Sequence, residues 1–104
     1  THTLSLHDAL PIFKAEDEAL HALVNNAGGL CLRRRESDDG IEMTLALNHL
    51  NTFLMKTLLL DLLRRTGARS EELAARVVNV ASESHGKAKI HFDDLQFETR
   101  YRPE

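Results

Sequence analysis

A single cysteine, Cys31, stands in a chain of 104 residues, so no disulfide can form within it. That scarcity suits a reducing, intracellular compartment. Basic charge is also short: 13 Lys and Arg face 16 Asp and Glu, a formal net charge of -3. Binding to a phosphate backbone needs a basic excess, so nucleic acid is not an expected partner. Long apolar runs are missing, because Lys56, Asp61 and similar residues interrupt each candidate, and no segment reads as spanning a bilayer. There is no internal repeat and no low-complexity tract. His21, His49, His85 and His91 lack the spacing of metal ligands. What is present is ordinary for a globular protein: 42% hydrophobic and 28% charged residues. The length allows one small domain or a part of a larger one.

The richest stretch is Leu23-Val24-Asn25-Asn26-Ala27-Gly28-Gly29. Leu20 to Val24 predicts a short buried parallel strand, and the turn after it brings little side-chain bulk to the strand's carboxyl end. Open α/β sheets bind nucleotides at that edge. Leu30 to Asp39 reads as a loop, and its run Arg33-Arg34-Arg35 as a solvated loop face in preference to a phosphate site. Lys14 to Glu18 is charged and belongs to a helix end or a loop.

Asp39-Gly40-Ile41-Glu42 predicts a helix start, with Asp39 as N-cap and Glu42 three residues on. Met43, Leu47, Leu50, Leu54, Leu58 and Leu62 then recur at spacings of three and four, one apolar face that Phe53, Leu59 and Leu63 widen. The helix is expected to reach Arg65, with Gly67 as terminator, and to measure roughly 35 Å. Such a face can cover a sheet and also meet a partner. Ser70 to Ala75 reads as a short polar helix or a turn. Arg76 to Ser82 is the second expected strand, β-branched where it should be buried. From Glu83 the pattern is polar, with Phe92, Leu95 and Phe97 as expected anchors.

Strand, long helix, strand and polar tail imply α/β architecture: a right-handed parallel crossover, part of a Rossmann-like doubly wound sheet. The crossover takes Asn26-Ala27-Gly28 and Ser82 to one edge, with Asn48 in the helix between them. Each residue also has a purely structural reading. Asn48 can bond nearby backbone or water, Ser82 can close a turn, and Gly28-Gly29 can serve turn geometry alone.

Asn25-Asn26-Ala27-Gly28, Asn48-His49-Leu50 and Val77-Val78-Asn79-Val80-Ala81-Ser82 together resemble the middle of a short-chain dehydrogenase/reductase. Leu58 to Leu63, Ser84-His85-Gly86 and Phe92-Asp93-Asp94-Leu95 resemble the retinol-dehydrogenase-like branch, and the likeness covers residues 20–101. It implies an NAD- or NADP-dependent oxidoreductase that interconverts an alcohol with an aldehyde or ketone, retinoid-like or otherwise lipophilic. By position, Asn26, Ala27 and Gly28 match the turn beside the adenosine ribose. Asn48 matches the asparagine that supports a proton-relay water, and Ser82 the serine that hydrogen-bonds the substrate oxygen, with Ser84 a second choice. The family's proton donor is a tyrosine with a lysine four residues on, and its hydride comes from or goes to the nicotinamide.

The chain departs from that pattern. It has no glycine-rich first βα turn and no Tyr-x-x-x-Lys; Ala81 replaces a usual serine and Asn51 a usual glycine. Tyr101, the only tyrosine, matches a non-catalytic one that precedes the catalytic residue in this branch. The resemblance therefore implies an internal fragment, inactive alone, whose catalytic Tyr and Lys are expected beyond Glu104. It implies a small-molecule partner, and the long helix leaves a homo-oligomer open. The NAD or NADP choice, the substrate and any membrane anchoring rest on other segments of such a protein. The alternative is a non-catalytic, dehydrogenase-derived interaction module that uses the long helix as its contact face. Thr3 to Ile12, finally, resembles an in-frame translated sequencing-library adapter, so residues 1–12 are expected to be an artefact and 13–104 the central part of the Rossmann-fold domain.

Overall fold

In the computed structural model, residues 19–103 are described. The expected artefact at residues 1–12 and the charged stretch Lys14 to Glu18 lie outside them. Strand β1 spans Ala22–Asn25 and strand β2 spans Arg76–Asn79. Between them a helical stretch runs without a break through α1 (Met43–Leu45), a π-helical turn (Ala46–Leu50) and α2 (Asn51–Gly67). The carbonyl of His21 accepts from the Arg76 N–H at 2.9 Å, and that of Asn25 from the Val80 N–H at 3.0 Å. Both pairs have the same sequence offset, so the strands run parallel. They form one two-stranded sheet in the order β1-β2. This is the β-α-β crossover of a Rossmann-like doubly wound sheet, as expected. A 3-10 turn, Glu83–Gly86, follows β2.

The chain divides into two compact units. Among the described residues, one is built from 19–24 with Leu54–Val78, the other from Asn25–Phe53 with 79–103. In the first unit Leu59 and Leu63, each 4% exposed, form the core with Leu20, Leu23, Met55, Leu58 and Ala75 packed on them. Burying such a leucine contributes about 1.5–3 kcal/mol. Thr66 closes the helix end: its hydroxyl donates to the Leu62 carbonyl and accepts from the Leu20 N–H, both at 2.8 Å. Leu20 is thereby tied to the helix, and β1 begins at Ala22 where the expected strand began at Leu20.

Several expectations are corrected. Val24 is 57% exposed and every residue of β2 is exposed, so neither strand is the buried one that its composition predicts. Among the described residues the helix core meets the sheet through Leu23 of β1 and Ala75 just before β2, too little to cover both faces. Asp39 is not the N-cap. Gly40, at φ 76°, closes a turn in which its N–H donates to the Ser37 carbonyl, and Glu42 caps instead. The Glu42 carboxylate accepts from the N–H groups of Thr44 at 2.9 Å and Leu45 at 2.8 Å. Of the two forms expected for Ser70 to Ala75 the turn is the one present, with the Ser70 hydroxyl accepting from Glu72 and Leu73. The apolar face is broken: Leu62 is buried with Leu59 and Leu63, while Phe53 and Leu54 stay exposed. No helix of the described residues is long and apolar enough to cross a membrane.

Candidate functional site

The candidate site lies in the second unit, where the turn after β1 meets the π-helical turn. A π turn is bonded i to i+5, and here the Asn51 N–H donates to the Ala46 carbonyl. Such wide turns inside helices concentrate at functional positions. Asn48 sits in the middle of this one. Its Oδ1 accepts from the Gly29 N–H and its Nδ2 donates to the Gly29 carbonyl, both at 2.8 Å. One side chain thus satisfies both backbone groups of a single residue, which fixes the turn's height and direction at once. A Cβ at Gly28 would sit 3.0 Å from Asn48 Oδ1 and would press on the amide that holds Gly29. Asn26 and Ala27 lie exposed at the strand end.

Beneath the turn, Asn25 Nδ2 donates to Asn79 Oδ1 at 2.8 Å, a polar link between the carboxyl ends of β1 and β2. Asn25 is the buried end of its strand. The sequence marks both asparagines, yet nothing in it pairs them before the parallel register is known. Ser82 lies three residues past β2. Its Oγ accepts from the Ser84 N–H at 3.2 Å and donates to Ser84 Oγ at 3.1 Å, which makes Ser82 the cap of the 3-10 turn. The Ser82 carbonyl takes His85 Nδ1 at 2.6 Å, a contact in which Nδ1 carries the proton. The geometry therefore brings Gly28, Gly29 and Asn48 together and keeps the hydrogen bonds of Ser82 local.

A second set of contacts joins the loop before α1 to the polar tail. Arg34 was expected to be solvated with its neighbours. Instead it is half-buried: its Nε donates to the Gln96 carbonyl at 3.1 Å and its Nη1 pairs with Glu36 at 2.8 Å. Gln96 Oε1 accepts from the Glu42 N–H at 3.1 Å. The Tyr101 hydroxyl donates to the Cys31 carbonyl, a structural use consistent with a non-catalytic tyrosine. Of the three expected anchors Phe92 and Leu95 are exposed, while Phe97 is partly buried and is joined by Gln96 and Tyr101. Phe97 takes a φ of 49° and stacks edge-on to Tyr101 at 6.1 Å and to His91 at 5.5 Å.

The Asp94 carboxylate holds this reversal. It accepts from the Glu98 N–H at 2.9 Å and the Thr99 N–H at 3.2 Å. The Glu98 N–H above all keeps the Asp94 carboxyl below its usual range. Smaller contributions in the same direction come from the backbone of Thr99 and Arg100 and the charge of Arg34, against a desolvation that opposes them. An open cleft of about 200 Å³ is lined here by His91, Asp93, Asp94, Phe97 and Arg100 among others. Among the described residues no three of His, Cys, Asp and Glu gather as a metal site.

Comparison with known proteins places these residues in context. The chain is 39% identical to human polyprenol dehydrogenase over 99 residues, covering 95% of the chain and 29% of that protein. It is 45% identical to human retinol dehydrogenase 12 over 89 residues, 86% of the chain and 26% of the relative. Human retinol dehydrogenase 13 is 38% identical over 85 residues, 82% of the chain and 24% of the relative. The chain thus spans about a quarter of the length of the curated relatives it matches. No protein-family profile and no solved structure matches it. Over that part of their length, the chain is homologous to the retinol and polyprenol dehydrogenases.

Proposed function

We propose that this chain is the central part of an NAD(P)-dependent short-chain dehydrogenase/reductase acting on lipophilic alcohols, aldehydes or ketones of retinoid-like character. The observation that carries the reading is the two-way bond between Asn48 and the Gly29 backbone. It fixes a small-residue turn at the carboxyl end of a parallel strand, the edge where such sheets take nucleotides. Exposed Asn26 and Ala27 and side-chain-free Gly28 leave the backbone open to a flat ligand, which suits the adenosine side of a nicotinamide dinucleotide. That dinucleotide, when bound, supplies or accepts the hydride.

In this reading each residue of the chain has a separate task. Asn26, Ala27 and Gly28 wall the ribose side. Asn48 holds that wall and supports the water through which a proton leaves. Ser82 offers its hydroxyl to the substrate oxygen, on which charge develops as the carbon changes state. The Ser84 N–H already holds the Ser82 oxygen, so the serine proton needs only to swing from Ser84 Oγ to the substrate.

The test uses the longest reading frame that contains the chain, purified and supplied with NAD(H) or NADP(H) and a long-chain or retinoid-like alcohol or aldehyde. Turnover is expected, and Ser82→Ala should lower kcat by about 100-fold or more. No turnover with either dinucleotide overturns the reading. That outcome would favour the interaction module instead, which draws on the exposure of Phe53 (54%) and Leu54 (47%) on the helix.

A further inference from the structure

Gln96 accepts two different hydrogen bonds, one on its side chain and one on its main chain. Its side-chain Oε1 accepts from the Glu42 N–H at 3.1 Å, and its main-chain carbonyl accepts from Arg34 Nε at 3.1 Å. Glu42 is the N-cap of the helical stretch whose next turn holds Asn48. Gln96 itself belongs to the segment that leaves Ser82. The Glu42 N–H precedes the first helical residue and has no partner within the helix, so an outside acceptor is needed. Burial sharpens the need, since Glu42 is only 4% exposed. On the far side of the same loop the Tyr101 hydroxyl holds the Cys31 carbonyl. The tail is thus fastened to the loop at both of its ends, with Gln96 at the helix end and Tyr101 at the strand end.

We propose that Gln96 is a positioning residue: it ties the segment following Ser82 to the cap of the helix that carries Asn48, and so holds the two in register. The inference rests on the functional reading above, because it concerns residues assigned a role there. Gln96 touches no reacting atom in this scheme. Its contribution is to keep Ser82 and Asn48 at a fixed separation, and displacements of an ångström at a reacting centre lower rates steeply. Arg34 holds the backbone of Gln96 while Glu42 uses its side chain, so substitution of the side chain cuts one tie and leaves the other.

The experiment takes the longest reading frame containing the chain and compares Gln96→Met with Gln96→Glu. Methionine keeps the length but removes the acceptor, and glutamate restores an acceptor oxygen. Gln96→Met is expected to lower kcat about tenfold while KM for the alcohol and for the dinucleotide stays within about twofold. Amide exchange at Glu42 should accelerate about tenfold as its acceptor is lost. Gln96→Glu should recover both quantities. Should Gln96→Met fail to fold, Gln96→Leu removes the same acceptor with a shorter side chain and is expected to give the same selective fall in kcat. Unchanged kcat in either folded variant overturns the inference, as does unchanged exchange at Glu42 in Gln96→Met. Absence of turnover in the unsubstituted protein instead overturns the functional reading on which it rests, while the exchange result still decides whether the tie exists.

Discussion

At the scale of single residues, the tail reversal depends on one carboxylate. Asp94 accepts from the N–H groups of Glu98 and Thr99 and so supports Phe97 at a positive φ. Its folded pKa is lowered, so the stabilisation is complete above the ordinary aspartate range and is lost as pH falls through the lowered folded value. Exchange at the Glu98 and Thr99 amides, corrected for intrinsic rates, is expected to quicken across that acid window. Asp94→Asn should remove the pH dependence, and an unchanged profile in that variant would assign the effect elsewhere. The residues of the candidate site were themselves legible as types: asparagine, glycine and serine at the ends of two apolar runs. Their bonds were not. Backbone bonding was one reading open to Asn48, yet nothing in its neighbours says that its amide reaches across 19 residues to Gly29, at 2.8 Å in both directions.

Among elements, the helical stretch shows where pattern reading fails. A capping box was expected at Asp39, yet the chain uses that residue in a turn and hands the cap to Glu42. Glu42→Ala is expected to cost about 1–2 kcal/mol, because two first-turn N–H groups lose their acceptor. Asp39→Ala should stay within about 0.5 kcal/mol. Urea midpoints measured on both variants decide between the two residues, and a reversed order would restore Asp39 as the cap. The apolar stripe was read with one period throughout. A π turn holds more residues than an α turn, so the phase of that stripe slips at Ala46–Leu50. The slip sets Met43 out of phase with the residues of α2, in which Leu54 stays exposed while Leu59 and Leu63 form the core. No residue in Ala46-Leu47-Asn48-His49-Leu50 is a helix breaker, so local preference could not signal the slip.

For the whole molecule, crossover topology was readable and burial was not. Alternating apolar runs and one long helix suffice for a parallel β-α-β unit, whereas exposure depends on what else packs against it. Val77 and Val78 look like core residues by type but remain 38% and 47% exposed. Among the described residues the hydrophobic core is correspondingly small. Leu59→Ala is expected to cost about 2–3 kcal/mol, the lower part of the range for a buried leucine. Leu54→Ala should cost under about 1 kcal/mol, since its side chain is half in water already. Thermal melts of the two variants would expose an error, because equal losses would mean that the exposed face is covered. The π-helical turn carries a further consequence. Its extra residue is a matter of chain length: deleting one residue from Ala46–Leu50 would leave a continuous ordinary helix, made of the same kinds of residue. It would also swing Asn48 about 100° off Gly29 if the deletion fell between Asn48 and the cap. The clamp on the strand-end turn is therefore written as a count as much as a composition, and a scan for the right residue types would pass a chain from which it had been lost.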